Sequence, residues 1–315
     1  MLGFVIRRLA LSIVTLVILI TIVFLITSVF PDDPGRSLAG PFASQEVVDS
    51  INERIGANDP KAEQYFRLVK NTITFDFGDS FQFNQPVSDT LFPALGRSSK
   101  LVALGLIMTL PLALMGGIIA ARRKDTLLDR GIVTLGLASS SIPEFVSGVA
   151  LQYVLAVKLG WFEAVAAPNR GFFGELKFLM LPAFAIVIVY FGYIARIARA
   201  GTIQALDADY TRTAYMKGLS SRDVIRKHVL RNSLQPTVAV VGTQIGYLFG
   251  GLVGLEVIFN YQGLGNLIYN AAREQDYPML QAGVILVAII FMICTLIADL
   301  VIAWMNPRAR LNVRS

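Results

Sequence analysis

The chain has 315 residues, of which 54% are hydrophobic and only 16% are charged, and its mean hydropathy is +0.59. Since soluble domains carry roughly 25% charged residues, this composition excludes an ordinary soluble domain and predicts a polytopic, all-α integral membrane protein. The net charge of +6 is interpreted as a topology signal rather than as evidence of a nucleic-acid partner, because of where the basic residues lie. With one cysteine, Cys294, and one histidine, His228, the sequence offers neither an internal disulfide nor a cluster for a metal ion.

Six apolar stretches have the length that crosses a bilayer core as a helix. They lie at about residues 9–30, 99–121, 131–157, 178–200, 236–258 and 281–305. The third is long and contains Pro143, which predicts either a kink or a continuation into the membrane interface. Pro111 and Pro182 lie in the second and fourth stretches, where neighbouring helices can satisfy the backbone groups that proline leaves free. The sequence therefore predicts six transmembrane helices.

The first stretch resembles a signal peptide because Arg7 and Arg8 precede it. Its apolar run of about 20 residues is longer than the 7–15 residues of a typical signal-peptide core. No small-residue cleavage pattern follows it at 30–34. We therefore expect residues 1–30 to be a retained transmembrane helix with a cytoplasmic N-terminus.

The distribution of charge supports that orientation. With the N-terminus inside, the predicted cytoplasmic segments hold 17 of the 28 Lys and Arg residues and only five acidic residues. The predicted outer segments hold the other 11 basic residues and 15 acidic ones, among them Glu256 at the outer edge of the fifth stretch. This asymmetry follows the positive-inside rule, so both termini are predicted to be cytoplasmic, including a tail at 306–315.

Residues 31–98 form a long segment on the predicted outer side. Ser44 is placed to cap a helix that includes Val47, Val48 and Ile51, and Gln64–Val69 could form another helix, while turns are expected at 76–79 and 84–86. Two interpretations stay open: a solvated connector, or a small lobe that covers a pore or contacts an external partner.

A polar, basic segment at 201–235 separates the fourth and fifth stretches and is much longer than a simple connection needs. Its first half predicts a helix from about Ala208 to Lys217, with acidic residues near its start to complement the helix dipole. Tyr210, Thr213, Ala214 and Lys217 should share one face of that helix. Gly218 is then expected to end it in a left-handed conformation.

The second half of this segment predicts another helix. Ser220 and Asp223 have the spacing of an N-terminal cap, Ile225 and Val229 form an apolar stripe, and Pro236 ends the pattern or opens the next span. The geometry is that of a helical hairpin with a glycine turn. Such a hairpin either lies on anionic membrane lipid or docks a partner on the cytoplasmic side.

Residues 209–222 and 228–236 resemble the EAA loop of binding-protein-dependent ABC importer permeases, in the variant of the dipeptide, oligopeptide and nickel branch. Arg212, Thr213 and Ala214 occupy the positions of Glu-Ala-Ala before Gly218, and the Arg-Thr-Ala form agrees with the peptide branch. Further similarities cover most of the chain from about residue 98: Ser141-Ile-Pro143 with Phe145, Gly263-Leu-Gly265, Asp276-Tyr-Pro278, and Asp299 with Asn306-Pro-Arg308 and Arg310. Two positions depart from the family pattern, Glu144 and Val146-Ser147, and they leave the substrate preference open.

The resemblance implies a type I ABC importer permease fold, with a five-helix core at 99–305, in the bacterial cytoplasmic (inner) membrane. It also implies four kinds of partner: a second permease, two ATPase subunits, an extracytoplasmic substrate-binding protein and membrane lipid. ATP and Mg would be bound by the ATPases, since this chain contains no phosphate-binding Gly-x-x-x-x-Gly-Lys-[Ser/Thr] loop. The residues implied to couple the permease to the ATPases are Asp209, Tyr210, Arg212, Thr213, Ala214, Lys217 and Gly218.

Polar residues inside the apolar stretches are candidates for the pore lining. Glu144 could meet a substrate ammonium or be satisfied locally at a helix break, and Ser141 lies beside it. Gln244 and Tyr247 could line a pore or form interhelical hydrogen bonds. Asp299 is expected to be structural, paired with a neighbouring arginine, and Cys294 to be a packed thiol.

These observations favour a transport subunit that imports short peptides. Nickel chelates or another small solute remain alternatives within the same family, and an ion-coupled secondary transporter is the alternative from a different class. A membrane enzyme is disfavoured, because the sequence offers no catalytic cluster of His, Asp and Glu.

Overall fold

The computed structural model describes residues 2–29, 34–40, 42–166 and 171–305. That part of the chain is helical, and its only β pairing is an isolated bridge between Asp79 and Pro86. The α-helices, in chain order, are α1 (Leu2–Phe24), α2 (Pro34–Ala39), α3 (Gln45–Ile55), α4 (Lys61–Thr74), α5 (Val87–Arg122), α6 (Leu127–Ser140), α7 (Glu144–Leu151), α8 (Gly171–Asp207), α9 (Asp209–Met216), α10 (Ser221–Val224), α11 (Leu230–Ser233), α12 (Gln235–Ile258), α13 (Leu264–Arg273) and α14 (Tyr277–Met305). Three π-helical segments lie at Leu25–Val29, Gln152–Lys158 and Ile225–Val229.

The chain divides into two compact units. Unit 1 contains Met1–Ser98 and Gln262–Met292, and unit 2 contains Ser99–Tyr261 and Ile293–Ser315. Helices α5 and α14 contribute residues to both units.

Five helices in the described residues are long and apolar enough to cross a membrane. They are Ile6–Ser28, Val87–Arg122, Gly171–Asp207, Gln235–Ile258 and Tyr277–Ile302. As expected, the second and third of these continue through Pro111 and Pro182. A sixth span exists only if the bent pair Leu127–Ser140 and Glu144–Lys158 is counted as one crossing.

The third predicted stretch, at 131–157, is therefore not one continuous helix. Its two halves are bent by 98° at the break between Ser140 and Glu144. Pro143 is the physical reason, because its ring disfavours the helical conformation at Ile142 and its own nitrogen cannot donate a hydrogen bond. Pro143 has ψ 145°, outside the helical range, and helix α7 begins directly after it.

Unit 1 gives the described part of the segment at 31–98 a packed core. Helix α3 follows Ser44 as expected, but the Ser44 side chain makes no capping hydrogen bond. Helix α4 is longer than the predicted 64–69, and α5 begins at Val87 rather than near residue 99. The early turns of α5 are helical because their apolar side chains have a core to pack against: Val87 and Leu91, both fully buried, lie in one cluster with Leu264 and Met279.

A fully buried carboxylate organises one end of this unit. Asp276 precedes α14 and accepts a hydrogen bond from the backbone N–H of Met279 at 3.3 Å, which caps that helix. It also accepts hydrogen bonds from the Ser80 hydroxyl and from the backbone N–H groups of Phe81, at 3.2 Å, and Gln82, at 3.3 Å. The Asp-Tyr-Pro motif thus joins α14 to a turn that lies 196 residues earlier in the chain.

Unit 2 is held together by close helix contacts at small residues. A Cβ added to Gly192 of α8 would lie 2.0 Å from the carbonyl oxygen of Gly136 in α6, so only glycine fits where these helices meet. A Cβ at Gly201 would lie 2.4 Å from the carbonyl oxygen of Ser233, at the contact of α8 with α11. Small residues allow such backbone approach between membrane helices.

Candidate coupling hairpin and pore face

The hairpin at 209–229 is fastened to the end of α8. Thr211, in the first turn of α9, is 1% exposed, and its hydroxyl donates a hydrogen bond to the carbonyl oxygen of Ala205 at 2.6 Å. Ala205 and Ala214 form a small buried cluster with Val224 and Val229. A short helix of eight residues has little stability of its own, so this core is what holds α9 in place.

Ala214 was expected to share a face with Tyr210, Thr213 and Lys217. The structure instead buries Ala214, which is 4% exposed, inside the hairpin core, while the other three side chains are exposed. Helical periodicity explains the difference, since Thr211 and Ala214 lie three residues apart on the inward face. The small size of Ala214 therefore serves packing within the chain.

The turn between the two helices has the expected geometry. Gly218 has φ +77°, in the left-handed region, and a Cβ there would meet no heavy atom within 4 Å. Ser220 caps α10 as predicted, because its hydroxyl oxygen accepts a hydrogen bond from the backbone N–H of Asp223 at 3.2 Å. The hydroxyl also donates to the Asp223 carboxylate at 2.6 Å, and this bond, with the nearby Lys227 ammonium, lowers the pKa of Asp223.

The apolar stripe of the second helix differs from the prediction by one residue. Ile225 and Val229 were expected to form it, but the fully buried side chains are Val224 and Val229. A π-helical segment at Ile225–Val229 accounts for this shift. Its wider turn brings residues five apart onto one face, which an α-helical pattern does not anticipate.

The outward face of α9 carries an apolar side chain that the sequence analysis did not single out. Met216 is 80% exposed, and by helical spacing it lies next to Arg212 and Thr213, opposite Ala214. Tyr210 and Tyr215 are 42% and 44% exposed on the flanks. The sequence showed Met216 as an apolar residue in a polar segment, but only the burial of Ala214 shows that Met216 lies on the outward face.

An ion pair also missed by the sequence analysis joins α8 to α6. The Arg199 guanidinium donates two hydrogen bonds to the Asp129 carboxylate, from Nε to Oδ1 at 2.5 Å and from Nη2 to Oδ2 at 2.6 Å. The backbone N–H of Asp125 donates to the same carboxylate at 2.9 Å. The Asp129 side chain is 3% exposed and that of Arg199 24%. Arg199 lies about three turns before α9, so the pair connects the hairpin end of α8 with the start of the broken helix pair.

Glu144 lies at the first position of α7, directly after the break. It is half-buried, and its Oε1 accepts a hydrogen bond from the Tyr190 hydroxyl of α8 at 3.2 Å. A Cβ at Gly251 of α12 would lie 3.7 Å from the same oxygen. Ser141 is exposed at the end of α6, where its hydroxyl donates to the carbonyl oxygen of Leu137 at 3.0 Å.

The other two candidate pore residues lie on the same face of α12 as Gly251. Gln244, Tyr247 and Gly251 follow the three- and four-residue spacing of one helical face, with Gln244 half-buried and Tyr247 61% exposed. The structure thus places Gln244 and Tyr247 along the helix face that approaches Glu144.

The structure also places Asp299, Cys294 and Glu256. Asp299 is half-buried in α14, and Cys294 is a free thiol one turn earlier, while the motif residues Asn306, Arg308 and Arg310 lie outside the described part. Glu256, predicted at the edge of the fifth stretch, lies two residues before the end of α12 and is fully buried. Within the described residues, no group of three or more His, Cys, Asp or Glu side chains could hold a metal ion.

Comparison with known proteins identifies the family. Residues 113–311 match the family described as "Binding-protein-dependent transport system inner membrane component", and residues 1–102 match "Binding-prot-dependent transport system membrane comp, N-term". The chain is 33% identical over 310 residues to the "Glutathione transport system permease protein GsiC" of Escherichia coli strain K12, covering 98% of this chain and 99% of that protein. The protein of the same name from Shigella dysenteriae serotype 1 gives the same values.

A solved structure described as "Crystal structure of an amino acid ABC transporter with histidines" is similar with a TM-score of 0.47 and 16% identity, over 70% of this chain and 94% of that one. Together the two family matches leave only residues 103–112 and 312–315 outside them. The chain belongs to the family of binding-protein-dependent transport system inner membrane components, the multi-pass permeases of ABC importers.

Proposed function

We propose that this chain forms half of the translocation pore of an ATP-driven importer of short peptides, coupled to separate ATPase subunits through the hairpin at 209–229. The observation that carries the proposal is the construction of that hairpin. Its inward side is fastened to α8 through Thr211 and the cluster around Ala214, while its outward side exposes Met216 and Tyr210. A motion imposed on the exposed side would therefore reach α8.

The proposed assembly contains a second, homologous permease, two ATPases that bind ATP and Mg, and an extracytoplasmic substrate-binding protein. The family description, which names binding-protein dependence and the inner membrane, supports this composition. The charge asymmetry supports cytoplasmic termini and a cytoplasmic hairpin. In this arrangement ATP binding closes the ATPases, the hairpin moves with them, and the pore changes from inward- to outward-facing.

Short peptides are the proposed substrate because the relatives that match over the whole chain are named for glutathione, which is a tripeptide. A nickel chelate or another small solute is the alternative within the family, and transport assays decide between them. An ion-coupled carrier is not what the matched family describes.

The docking energy should come mainly from apolar burial. Fully burying a side chain such as that of Met216 contributes about 1.5–3 kcal/mol, whereas an exposed ion pair through Arg212 or Lys217 contributes about 0–1 kcal/mol. Truncation of Met216 or Tyr210 should therefore weaken ATPase binding more than neutralising either basic residue does.

The test uses the complete importer, reconstituted in proteoliposomes with its ATPases, sister permease and binding protein. Met216→Ala and Tyr210→Ala are expected to weaken ATPase binding to the permease by about ten- to a hundredfold each and to lower ATP-driven peptide uptake. Leu127→Ala is the matched control, because Leu127 is 87% exposed at the start of α6 and outside the hairpin. Unchanged ATPase binding and uptake in both hairpin variants would contradict the coupling role, and uptake by this chain without ATPases would contradict the function itself.

A further inference from the structure

Glu144 is a carboxylate at the break of the bent, apolar helix pair, and no basic side chain among the described residues forms an ion pair with it. Among the described residues, the side chain that donates a hydrogen bond to it is the neutral hydroxyl of Tyr190, at 3.2 Å, and none of the ion pairs formed there involves Glu144. Ionisable side chains within membrane spans usually pair with an opposite charge or mark a substrate pathway. The arrangement therefore lacks the cation that such a carboxylate normally has.

The local backbone favours a negative charge at this position. Glu144 lies in the first turn of α7, where the partial positive charge of the helix N-terminus stabilises an anion. The break at Pro143 creates that N-terminus between the two halves of the bent helix pair. Together with the Tyr190 hydrogen bond, this environment can hold a carboxylate without a resident cation.

There is also space beside the carboxylate. Gly250 and Gly251 of α12 are both exposed, a Cβ at Gly250 would meet nothing within 4 Å, and a Cβ at Gly251 would come no closer to Glu144 Oε1 than 3.7 Å. Tyr247, one turn earlier on that face, is 61% exposed. Because the face of an aromatic ring attracts positive charge, an exposed tyrosine on this helix face is compatible with an organic cation.

We propose that Glu144 binds the protonated amino group of the transported solute, the free N-terminal ammonium of a short peptide, and that Tyr190 positions the carboxylate for this contact. The proposal rests on the proposed function and adds a selection step within the membrane, separate from the external binding protein. An ammonium donates three hydrogen bonds, of which the Glu144 carboxylate accepts one or two.

The test measures equilibrium binding to the assembled importer in nanodiscs without its binding protein, so that selection by that protein does not contribute. The probes are glutathione and trialanine, each with a free and with an N-acetylated amino terminus. The wild-type complex is expected to bind the free peptides at least about tenfold more tightly than the acetylated ones. Glu144→Gln should abolish this preference, and Tyr190→Phe should reduce it by about threefold while leaving binding of the acetylated peptides unchanged.

The matched control is Glu274→Gln, which removes an exposed carboxylate that pairs with Arg273 in unit 1. It should leave the preference intact. The proposal would be overturned if the wild type bound free and acetylated peptides equally, or bound neither. It would also be overturned if the Glu144→Gln complex lost its sister permease, because Glu144 would then pair with a cation of that subunit. ATP-driven uptake by the same preparations, with the binding protein restored, tests the proposed function separately. If uptake occurs without a preference for free over acetylated peptides, the chain is still an importer permease and only the proposed Glu144 site is contradicted.

Discussion

Arg199 and Asp129 form a two-bond ion pair between α8 and the start of α6, with N–O distances of 2.5 and 2.6 Å. Because Asp129 is also held by the backbone N–H of Asp125, at 2.9 Å, the pair ties the connection before α6 to α8. Helix α8 continues into the hairpin, and α6 leads to the break before Glu144. The pair therefore joins α8, which carries the proposed coupling hairpin, to α6, which leads to the proposed pore face.

Removing one partner of this pair should be costly. Arg199→Ala leaves a carboxylate that is 3% exposed without its counter-charge, and breaking such a pair typically destabilises by about 3–5 kcal/mol. We expect a lower thermal unfolding temperature of the purified permease and lower uptake per ATP hydrolysed. Arg199→Lys should be intermediate, because an ammonium keeps the charge but not the two parallel bonds.

The double variant Asp129→Leu with Arg199→Met serves as the control for that experiment. It removes both charges and should recover most of the stability. If it recovers stability but not coupled uptake, the pair transmits motion, whereas recovery of both would limit its role to stability.

The glycine turn of the hairpin gives a second prediction. Gly218→Val should cost about 1–2 kcal/mol locally, because a β-branched residue disfavours φ +77°, although no atom lies within 4 Å of the added Cβ. Gly218→Asn should be much milder, since asparagine tolerates this conformation. The measurement is ATPase binding and uptake in reconstituted complexes. Equal effects of Val and Asn would show that side-chain bulk at the ATPase surface matters rather than backbone conformation.

The third prediction concerns the interior of the hairpin. Ala214→Leu should overpack the cluster of Ala205, Val224 and Val229 and destabilise the hairpin by about 1–3 kcal/mol. Thr213→Leu is the matched control, since Thr213 is the adjacent, exposed residue. Protease sensitivity of the hairpin in the isolated permease should increase only for Ala214→Leu. If Ala214→Leu has an effect only when ATPases are present, Ala214 contributes to the docking surface rather than to the interior of the hairpin.

The crossing of α6 and α8 gives a fourth prediction. Gly192→Ala places a Cβ about 2.0 Å from the Gly136 carbonyl oxygen, which requires the two helices to separate. We expect loss of folded, detergent-extractable protein by fluorescence-detected size-exclusion chromatography. Gly131→Ala is the control, because a Cβ at Gly131 of the same α6 meets nothing within 4 Å. Normal behaviour of Gly192→Ala would mean that the helices are not in contact in the membrane.

Several elements were predictable from the sequence because short-range chemistry decides them. Five of the six predicted apolar stretches lie in helices long and apolar enough to cross a membrane, since about 20 apolar residues have few other stable conformations in a bilayer. The Gly218 turn, the Ser220 cap and the interruption at Pro143 also followed from local rules. The size of the bend at Pro143, 98°, could not be predicted from the sequence, because it depends on how α7 packs against α8 and α12.

The sequence by itself determined that this chain spans a membrane, where the hairpin turns and the third stretch is interrupted, and to which family it is similar, since each of these depends on composition, periodicity or motifs of neighbouring residues. Only the tertiary structure decided which side chains meet. Asp129 finds Arg199 70 residues away, and Asp276 finds Ser80 196 residues away. Because of the π-helical turn, Val224 is buried instead of the predicted Ile225, and packing places Ala214 inside the hairpin. The physical reason is that partner choice over such separations depends on how helices pack, and no local pattern encodes the direction in which a neighbouring helix lies.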